Sequence, residues 1–388
     1  MKIAMLTGGG DVPGLNAVLK GLTEGALARG WEALGIRNGW QGLLALDAAD
    51  PASRSRWLVP LDGHVVRTID RDGGTFLHSA RTNPSRVKAA DLPASLRGSP
   101  RVVRLLGPEE LYDCTAHVLH NLEQLGVNVL YPIGGDDTLS YGERLHREGF
   151  SVIGIPKTMD NDVHGTDYCL GFATAVSRTV AYLHQLRTCT ASHERFGVIE
   201  VMGRNSGASS LIPAYLASAD RCLIAEVPFE LDRLAEHLLR DRRDNPSHYA
   251  MLTISEGAQM EGGSLVERGE ADAYGHRKLG GIGQLTGEAL KQRTGVGVIY
   301  QNLGYLVRSG PPDPVDLMVT FNFANLGLEL AATGQFGQLV RLSGGVYGSA
   351  PLSIVAAGLK RVDIDALYDR QAYRPKIASV LGLPMYLY

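Results

Sequence analysis

A chain of 388 residues with 44% hydrophobic and 20% charged side chains has an ordinary globular makeup, large enough for two domains. Its net charge of −3 gives no reason to expect nucleic acid or a membrane surface as partner, so an anionic substrate needs locally gathered Arg and Lys. No apolar run approaches the roughly 20 residues of a membrane span, Met1-Lys2 runs straight into a strand, and four scattered cysteines without a CxxC pair fit a reduced, cytoplasmic chain.

Strand-like and helix-like segments alternate, the pattern of a parallel α/β sheet. Lys2–Thr7 reads as a strand and 14–29 as a helix, with Leu15, Val18, Leu19, Leu22 and Ala26 on one face. From Leu43 to Arg71 the pattern weakens into what reads as a surface excursion. Residues 108–125 are predicted helical, with Pro108 near the first turn and Gly126 as the stop. Apolar stretches at 127–131 and 151–155 follow as strands. Each runs into an acid-rich loop: Gly134-Gly135-Asp136-Asp137, then Pro156-Lys157-Thr158-Met159-Asp160-Asn161-Asp162. A helix is expected over 171–185, a strand over 196–202, and a helix over 206–217. The segment 234–240 and a polar loop at 241–248 precede the buried strand 249–255. A helix over 285–293 and a strand over 296–300 come next, and the tail from about residue 315 reads as helical with one turn at Leu342-Ser343-Gly344-Gly345. No linker marks a boundary, so the chain is expected to cross between domains more than once.

The acid loops sit where open α/β sheets bind ligands, at the carboxyl ends of strands. Asp136, Asp137, Asp160 and Asp162 repel one another unless a cation or a transferable proton is present, which points to Mg²⁺ and acid–base work on a phosphorylated substrate. Asp136 is the candidate metal ligand. Asp137 reads equally as a helix cap. Asp160 and Asp162 flank Asn161 and share a face of an extended segment. An Asp beside a sugar hydroxyl can accept its proton as that oxygen attacks phosphorus, and Lys157 offers a point charge to the transferred group. The turn Thr7-Gly8-Gly9-Gly10-Asp11-Val12-Pro13-Gly14-Leu15-Asn16 can aim backbone N–H groups at an anion, or serve as a tight βα turn. It is neither a Walker A loop nor GxGxxG. Arg81, Arg86, Arg195, Arg204 and Arg308 are the phosphate candidates, and Glu256 can bind sugar hydroxyls. His193-Glu194 does not extend to HExxH, and no Gly-x-Ser-x-Gly elbow is present.

Assembled, the motifs Gly9-Gly10-Asp11-x-Pro13-Gly14-x-Asn16, Ser79-Ala80-Arg81, Gly134-Gly135-Asp136, Thr158-x-Asp160-Asn161-Asp162, Met202-Gly203-Arg204 and Ser255-Glu256-Gly257 resemble those of the 6-phosphofructokinase superfamily, whose members use ATP or pyrophosphate. The resemblance implies two Rossmann-like three-layer α/β domains with the active site in the cleft between them and a helical C-terminal tail. A larger donor-binding domain would take 1–171 with about 307–355, and a smaller sugar-phosphate domain 172–306 with about 356–388. It further implies Asp160 as the base toward the 1-hydroxyl of fructose 6-phosphate, Asp136 on Mg²⁺, and Thr158 and Asp162 positioning sugar and phosphoryl group. Arg81 would stabilise that group, with Gly10 and Lys157 also on the donor. Met202, Gly203, Arg204, Glu256 and Tyr305 would hold the sugar and Arg308 its 6-phosphate. Arg195 would reach the same phosphate from a neighbouring subunit of a homodimer or homotetramer.

ATP-using bacterial members usually carry Gly at the positions of Asp137 and Lys157. A carboxylate at 137 crowds the path of a nucleotide's α-phosphate, and Lys157 suits a compact, densely charged donor. The pair therefore resembles the pyrophosphate-dependent signature and implies a reversible reaction with fructose 1,6-bisphosphate and phosphate as products. The segment Gly304-Tyr305-Leu306-Val307-Arg308-Ser309-Gly310 departs from the usual Gly-His-x-Gln-Arg-Gly-Gly, and Ile299 stands where an arginine is common. Sedoheptulose 7-phosphate is therefore a second candidate acceptor. Lys20 and Glu24 replace the basic pair of the usual effector site, which implies a non-allosteric enzyme. An ATP-dependent kinase, a non-catalytic sugar-phosphate sensor and a dehydrogenase are the competing readings.

Overall fold

The computed structural model describes residues 1–269, 272–275 and 277–383. Strands β1 (Lys2–Thr7), β2 (Glu32–Ile36), β3 (Leu58–Leu61), β4 (Val129–Gly134) and β5 (Ile153–Pro156) form the bulk of one sheet. Strands β6 (Phe196–Val201), β7 (Arg221–Leu223), β8 (Ala250–Ser255) and β9 (Val298–Asn302) form a second. β10 (Gln338–Ser343) and β11 (Val346–Pro351) return to the first, whose order is β11-β10-β5-β4-β1-β2-β3. The second sheet runs β7-β8-β6-β9 and is parallel throughout. Helices on both faces bury these strands, so β4, β6 and β8 are buried at every residue and read as continuous apolar runs rather than alternating ones.

The main helices are α1 (Leu15–Ala28), α2 (Thr115–Gln124), α3 (Asp136–Arg147), α4 (Phe172–Ser192), α5 (Ala208–Leu216), α6 (Leu231–Asp244), α7 (Ile282–Thr294) and α8 (Pro314–Ala332). α1 and α8 approach closely because Gly21 and Gly25 share a face. A Cβ at Gly25 would lie 2.3 Å from Leu328 Cδ1, so only glycine lets the two helices meet. Asp316 ties α8 to α4. Its buried carboxylate accepts from the N–H groups of Gly171 (2.8 Å) and Thr174 (2.9 Å) and from the Tyr168 hydroxyl. It thus caps the otherwise unpaired amino end of α4. Burial raises its pKa to about 6. Among the described residues no helix is long and apolar enough to cross a membrane.

Four element expectations need correction. The stretch from Leu43 to Arg71 is not a bare excursion, since β3 forms the antiparallel edge of the first sheet beside β2, and Leu43, Leu44 and Leu46 are buried. The helix expected over 108–125 begins only at Thr115. Leu111–Asp113 before it is a strand of a separate three-stranded sheet. The polar stretch 241–248 opens with the last turn of α6, which continues to Asp244. The helical tail holds for α8 and then stops. Beyond it β10 and β11 form a hairpin across Gly344-Gly345, and β10 pairs in parallel with β5. The short apolar run Leu339-Val340 satisfies a strand as well as a helix, and the sheet edge decides between them.

Candidate active site

Because the strands are parallel, β1, β4 and β5 present their carboxyl ends together, as do β6, β8 and β9. The loops leaving these ends enclose a cleft of about 1160 Å³. Gly9, Gly10, Asp11 and Arg81 line it from the first sheet's side. Met202, Arg204, Glu256, Tyr300 and Asn302 line it from the second, with Tyr305 and Arg308 beyond β9.

The glycine-rich turn is held by contacts from four other segments. Its loop and the first turn of α3 pack so tightly that a Cβ at Gly8 would lie 2.4 Å from Thr138 Oγ1. The Ser79 hydroxyl donates to the Gly9 carbonyl (2.5 Å), and Lys157 Nζ donates to the Gly10 carbonyl (2.7 Å). Arg308 pairs with Asp11 at 2.7 Å and stacks over the Tyr305 ring at 4.5 Å. Lys157 is therefore a buried amine set under the loop. Burial, followed by the charges of Arg308 and Arg81, lowers its pKa to about 8. A cation so poorly solvated gains strongly from an anion placed above it.

The second acid loop turns through Asn161, whose φ of 55° lies in the left-handed region that Asn tolerates. The Asn161 side chain holds the turn by accepting from Cys169 N (2.8 Å) and donating to Asp167 O (3.0 Å). Asp160 is thereby half-buried, its Oδ2 accepting from Arg204 N–H at 3.4 Å while its Oδ1 is buried without a hydrogen-bond partner. Burial, then Asp162 and Glu256, raise its pKa well above the usual carboxylate range. Asp162 accepts from Asn205 at 3.4 Å, and burial raises Glu256 as well. Thr158 Oγ1 accepts from Asp160 N–H at 3.2 Å and so helps set the loop.

Asp136 and Asp137 open α3, whose N-cap is Gly135; the cap reading of Asp137 therefore fails, and both carboxylates stand half-buried in the first turn. Tyr274 lies close enough that both raise its hydroxyl pKa, after the larger effect of burial. No group of three or more His, Cys, Asp or Glu gathers for a metal among the described residues. That donor set suits a hard ion held by one or two carboxylates, water and substrate phosphate, as Mg²⁺ is, and not an all-protein site.

Of the residues singled out from sequence, Gly10, Arg81, Met202, Arg204, Glu256, Tyr305 and Arg308 line the cleft. Lys157 lies beneath Gly10, and Asp160 behind Arg204. Gly203 adopts φ 128°, where any Cβ would strike Ser206 O at 2.6 Å. Arg195 is apart from all of these, exposed at the amino end of β6 and roughly 20 Å along the strand from Met202. Arg86 lines a neighbouring cavity of about 610 Å³ on the far side of Arg81, together with Lys88 and Asp91.

Sequence reasoning missed an arm that leaves β8 and returns to α7. Two short strands, Glu267–Arg268 and Lys278–Leu279, pair along it. Asp272 on the arm pairs with Arg81 at 3.0 Å and the Tyr274 hydroxyl donates to Thr82 O at 2.8 Å, so the arm spans the cleft. Arg81 is half exposed, and such an ion pair is worth no more than about 1 kcal/mol, so a phosphate can replace it. Gln284, Tyr300 and Asn302 were also missed. One signal was available there, the acidic Glu200 inside an apolar strand.

A family model described as Phosphofructokinase matches residues 2–330. The chain is 36% identical over 375 residues to the pyrophosphate–fructose 6-phosphate 1-phosphotransferase of Amycolatopsis methanolica, covering 96% of this chain and 99% of the relative. It is 34% identical over 365 residues to the ATP-dependent 6-phosphofructokinase of Chloroflexus aurantiacus, covering 93% and 92%. Among solved structures, the pyrophosphate-dependent phosphofructokinase from Nitrosospira multiformis superposes with a TM-score of 0.77 at 17% identity, covering 100% of this chain and 91% of that one.

Proposed function

The chain belongs to the phosphofructokinase family and is a phosphotransferase; from that premise we propose that it moves a phosphoryl group from pyrophosphate to the 1-hydroxyl of fructose 6-phosphate, reversibly and with Mg²⁺. The observation that carries this reading is Asp160, a half-buried carboxylate whose Oδ1 is buried and unpartnered and whose proton affinity is raised, set behind Arg204 in a cleft whose other side is the Gly9–Gly10 turn over Lys157.

In this reading Asp160 accepts the hydroxyl proton as the sugar oxygen attacks the near phosphorus of pyrophosphate. The bridging P–O bond breaks and phosphate leaves. Lys157 and Arg81 neutralise charge growing on the transferred group, and the Gly10 turn cradles the donor. Thr158 and Asp162 hold the acid loop and the sugar in line. Met202, Gly203, Arg204, Glu256 and Tyr305 grip the sugar. Arg308 and a neighbouring subunit's copy of Arg195 meet the 6-phosphate, in a homodimer or homotetramer. Asp136 would hold Mg²⁺, which neutralises charge on the donor phosphates when bound. Residues 1–171 with about 307–355 form the donor half and 172–306 with about 356–388 the sugar half, of which 270, 271, 276 and 384–388 lie outside the described residues. In the return direction Asp160 hands the proton back, so fructose 1,6-bisphosphate with phosphate yields pyrophosphate.

A second reading, ATP as donor, is favoured by the 610 Å³ cavity beyond Arg81, which has room for a nucleoside. Relatives named for both donors exist at similar identity.

The reverse reaction is a direct test. With fructose 1,6-bisphosphate, phosphate and Mg²⁺, a pyrophosphate signal should appear by ³¹P NMR and be abolished by a chelator. Forward turnover without any reverse signal would remove reversibility from the account, and turnover insensitive to chelation would remove the metal.

The pH profile follows from the two shifted groups. Asp160 works deprotonated, so activity falls as pH drops through its raised pKa. Lys157 works protonated, so kcat/KM for pyrophosphate falls as pH rises through about 8. Half-buried Lys360, also lowered to about 8 by desolvation, titrates over the same range, and Lys157→Arg separates the two. That variant should lose the alkaline limb because arginine stays charged. An unchanged alkaline limb would assign it to another group.

A further inference from the structure

Glu200 is fully buried next to the carboxyl end of β6, a strand with no exposed residue. Charged groups are kept in such places only when their oxygens are satisfied. The Glu200 carboxylate accepts from Gly281 N–H at 2.7 Å, Gly283 N–H at 3.1 Å and the Tyr300 hydroxyl at 2.6 Å. The two amides belong to the start of α7, so Glu200 caps that helix from a different strand and sets its negative charge at the positive end of the helix. The phenol fixes the Tyr300 ring on β9. These groups reach the cleft, because Gly280, Gly281, Gln284 and Tyr300 all line it. The packing leaves little play. A Cβ at Gly280 would lie 3.3 Å from Glu200 Oε1, and one at Gly283 3.0 Å from Tyr300 Cε2.

We propose that Glu200 is a positioning residue for the acceptor half of the cleft, acting through Tyr300 and the amino end of α7. It does not touch substrate. By accepting these three donors it withholds them from any phosphate, and its charge disfavours an anion against this wall. The wall is left to meet the uncharged, hydroxyl-bearing part of a sugar phosphate, with the Tyr300 ring and the Gly280–Gly281 backbone at a fixed spacing. The inference rests on the reading of the cleft as the meeting point of a sugar phosphate and a phosphoryl donor.

The test uses the intact protein and Glu200→Gln, Tyr300→Phe and the double variant, each checked for folding by thermal melting. Calorimetry with fructose 6-phosphate and, separately, pyrophosphate gives the two affinities. Both single variants are expected to weaken fructose 6-phosphate about tenfold, the usual scale for losing a hydrogen bond to a charged group. Pyrophosphate affinity should stay within twofold. The double variant should be no weaker than the worse single one, because both remove the same contact. If Glu200→Gln fails to fold, Tyr300→Phe breaks that contact from the cleft side and carries the test alone. Equal losses for both ligands, or no loss, would overturn the positioning role. An unmodified protein that binds fructose 6-phosphate without turning it over would count against the functional reading alone; one that binds no sugar phosphate would overturn both.

Discussion

Replacing Asp160 by asparagine is expected to lower kcat by about 10²- to 10⁴-fold, the range a positioned general base contributes, with fructose 6-phosphate affinity changed only a few fold. Asparagine keeps the shape and an oxygen that can still accept from Arg204 N–H. It removes the ability to take a proton. It also removes a poorly solvated negative charge that Asp162 and Glu256 oppose, so the variant should be no less stable than the parent. Loss of activity therefore cannot be laid to unfolding. Steady-state kinetics beside a binding isotherm separates the two effects, and a kcat within threefold of the parent would take Asp160 out of the mechanism.

The second large effect is expected at the donor. Lys157→Met should lower kcat/KM for pyrophosphate by about 10²- to 10³-fold, the scale of losing one preorganised charge-stabilising donor in a site sheltered from water. The amine is buried, its charge already disfavoured by burial and by Arg308 and Arg81, so a bound polyanion is what best stabilises it. Methionine fills the same space but leaves the Gly10 carbonyl without its donor, a cost of about 1 kcal/mol to stability. Asp137→Gly acts in the opposite sense. It removes a carboxylate from the first turn of α3 and should raise turnover with ATP at least tenfold, while pyrophosphate turnover falls less than in Lys157→Met. ATP turnover unmoved by Asp137→Gly would show that this carboxylate does not guard the donor path.

The parts of this site that were legible in the sequence are those set by local chemistry. Apolar runs ending in Gly-Gly-Asp-Asp and in Pro-Lys-Thr place acids and a lysine at strand ends, because parallel strands buried on both faces leave no other reading of Val129–Gly134 or Ile153–Pro156. What local chemistry cannot supply is the partner. Lys157 reads as a point charge, and only the fold puts it beneath Gly10. Arg308 reads as a phosphate ligand, and the fold also ties it to Asp11, 297 residues away. The arm gave no signal, since Asp272 and Tyr274 matter through contacts with Arg81 and Thr82 roughly 190 positions earlier. The tail was misread for a different reason. Gly344-Gly345 is a hairpin turn, but short flanking runs carry no decisive period, and pairing with β5 makes them strands.

We propose that Asp137 and Lys157 shape this cleft for pyrophosphate rather than a nucleotide. Initial rates of fructose 1,6-bisphosphate formation, with Mg²⁺ and either pyrophosphate alone or ATP alone, test it on the unmodified protein. The expected result is a kcat/KM for pyrophosphate at least a hundredfold above that for ATP; a kcat/KM for ATP equal to or above that for pyrophosphate would contradict it.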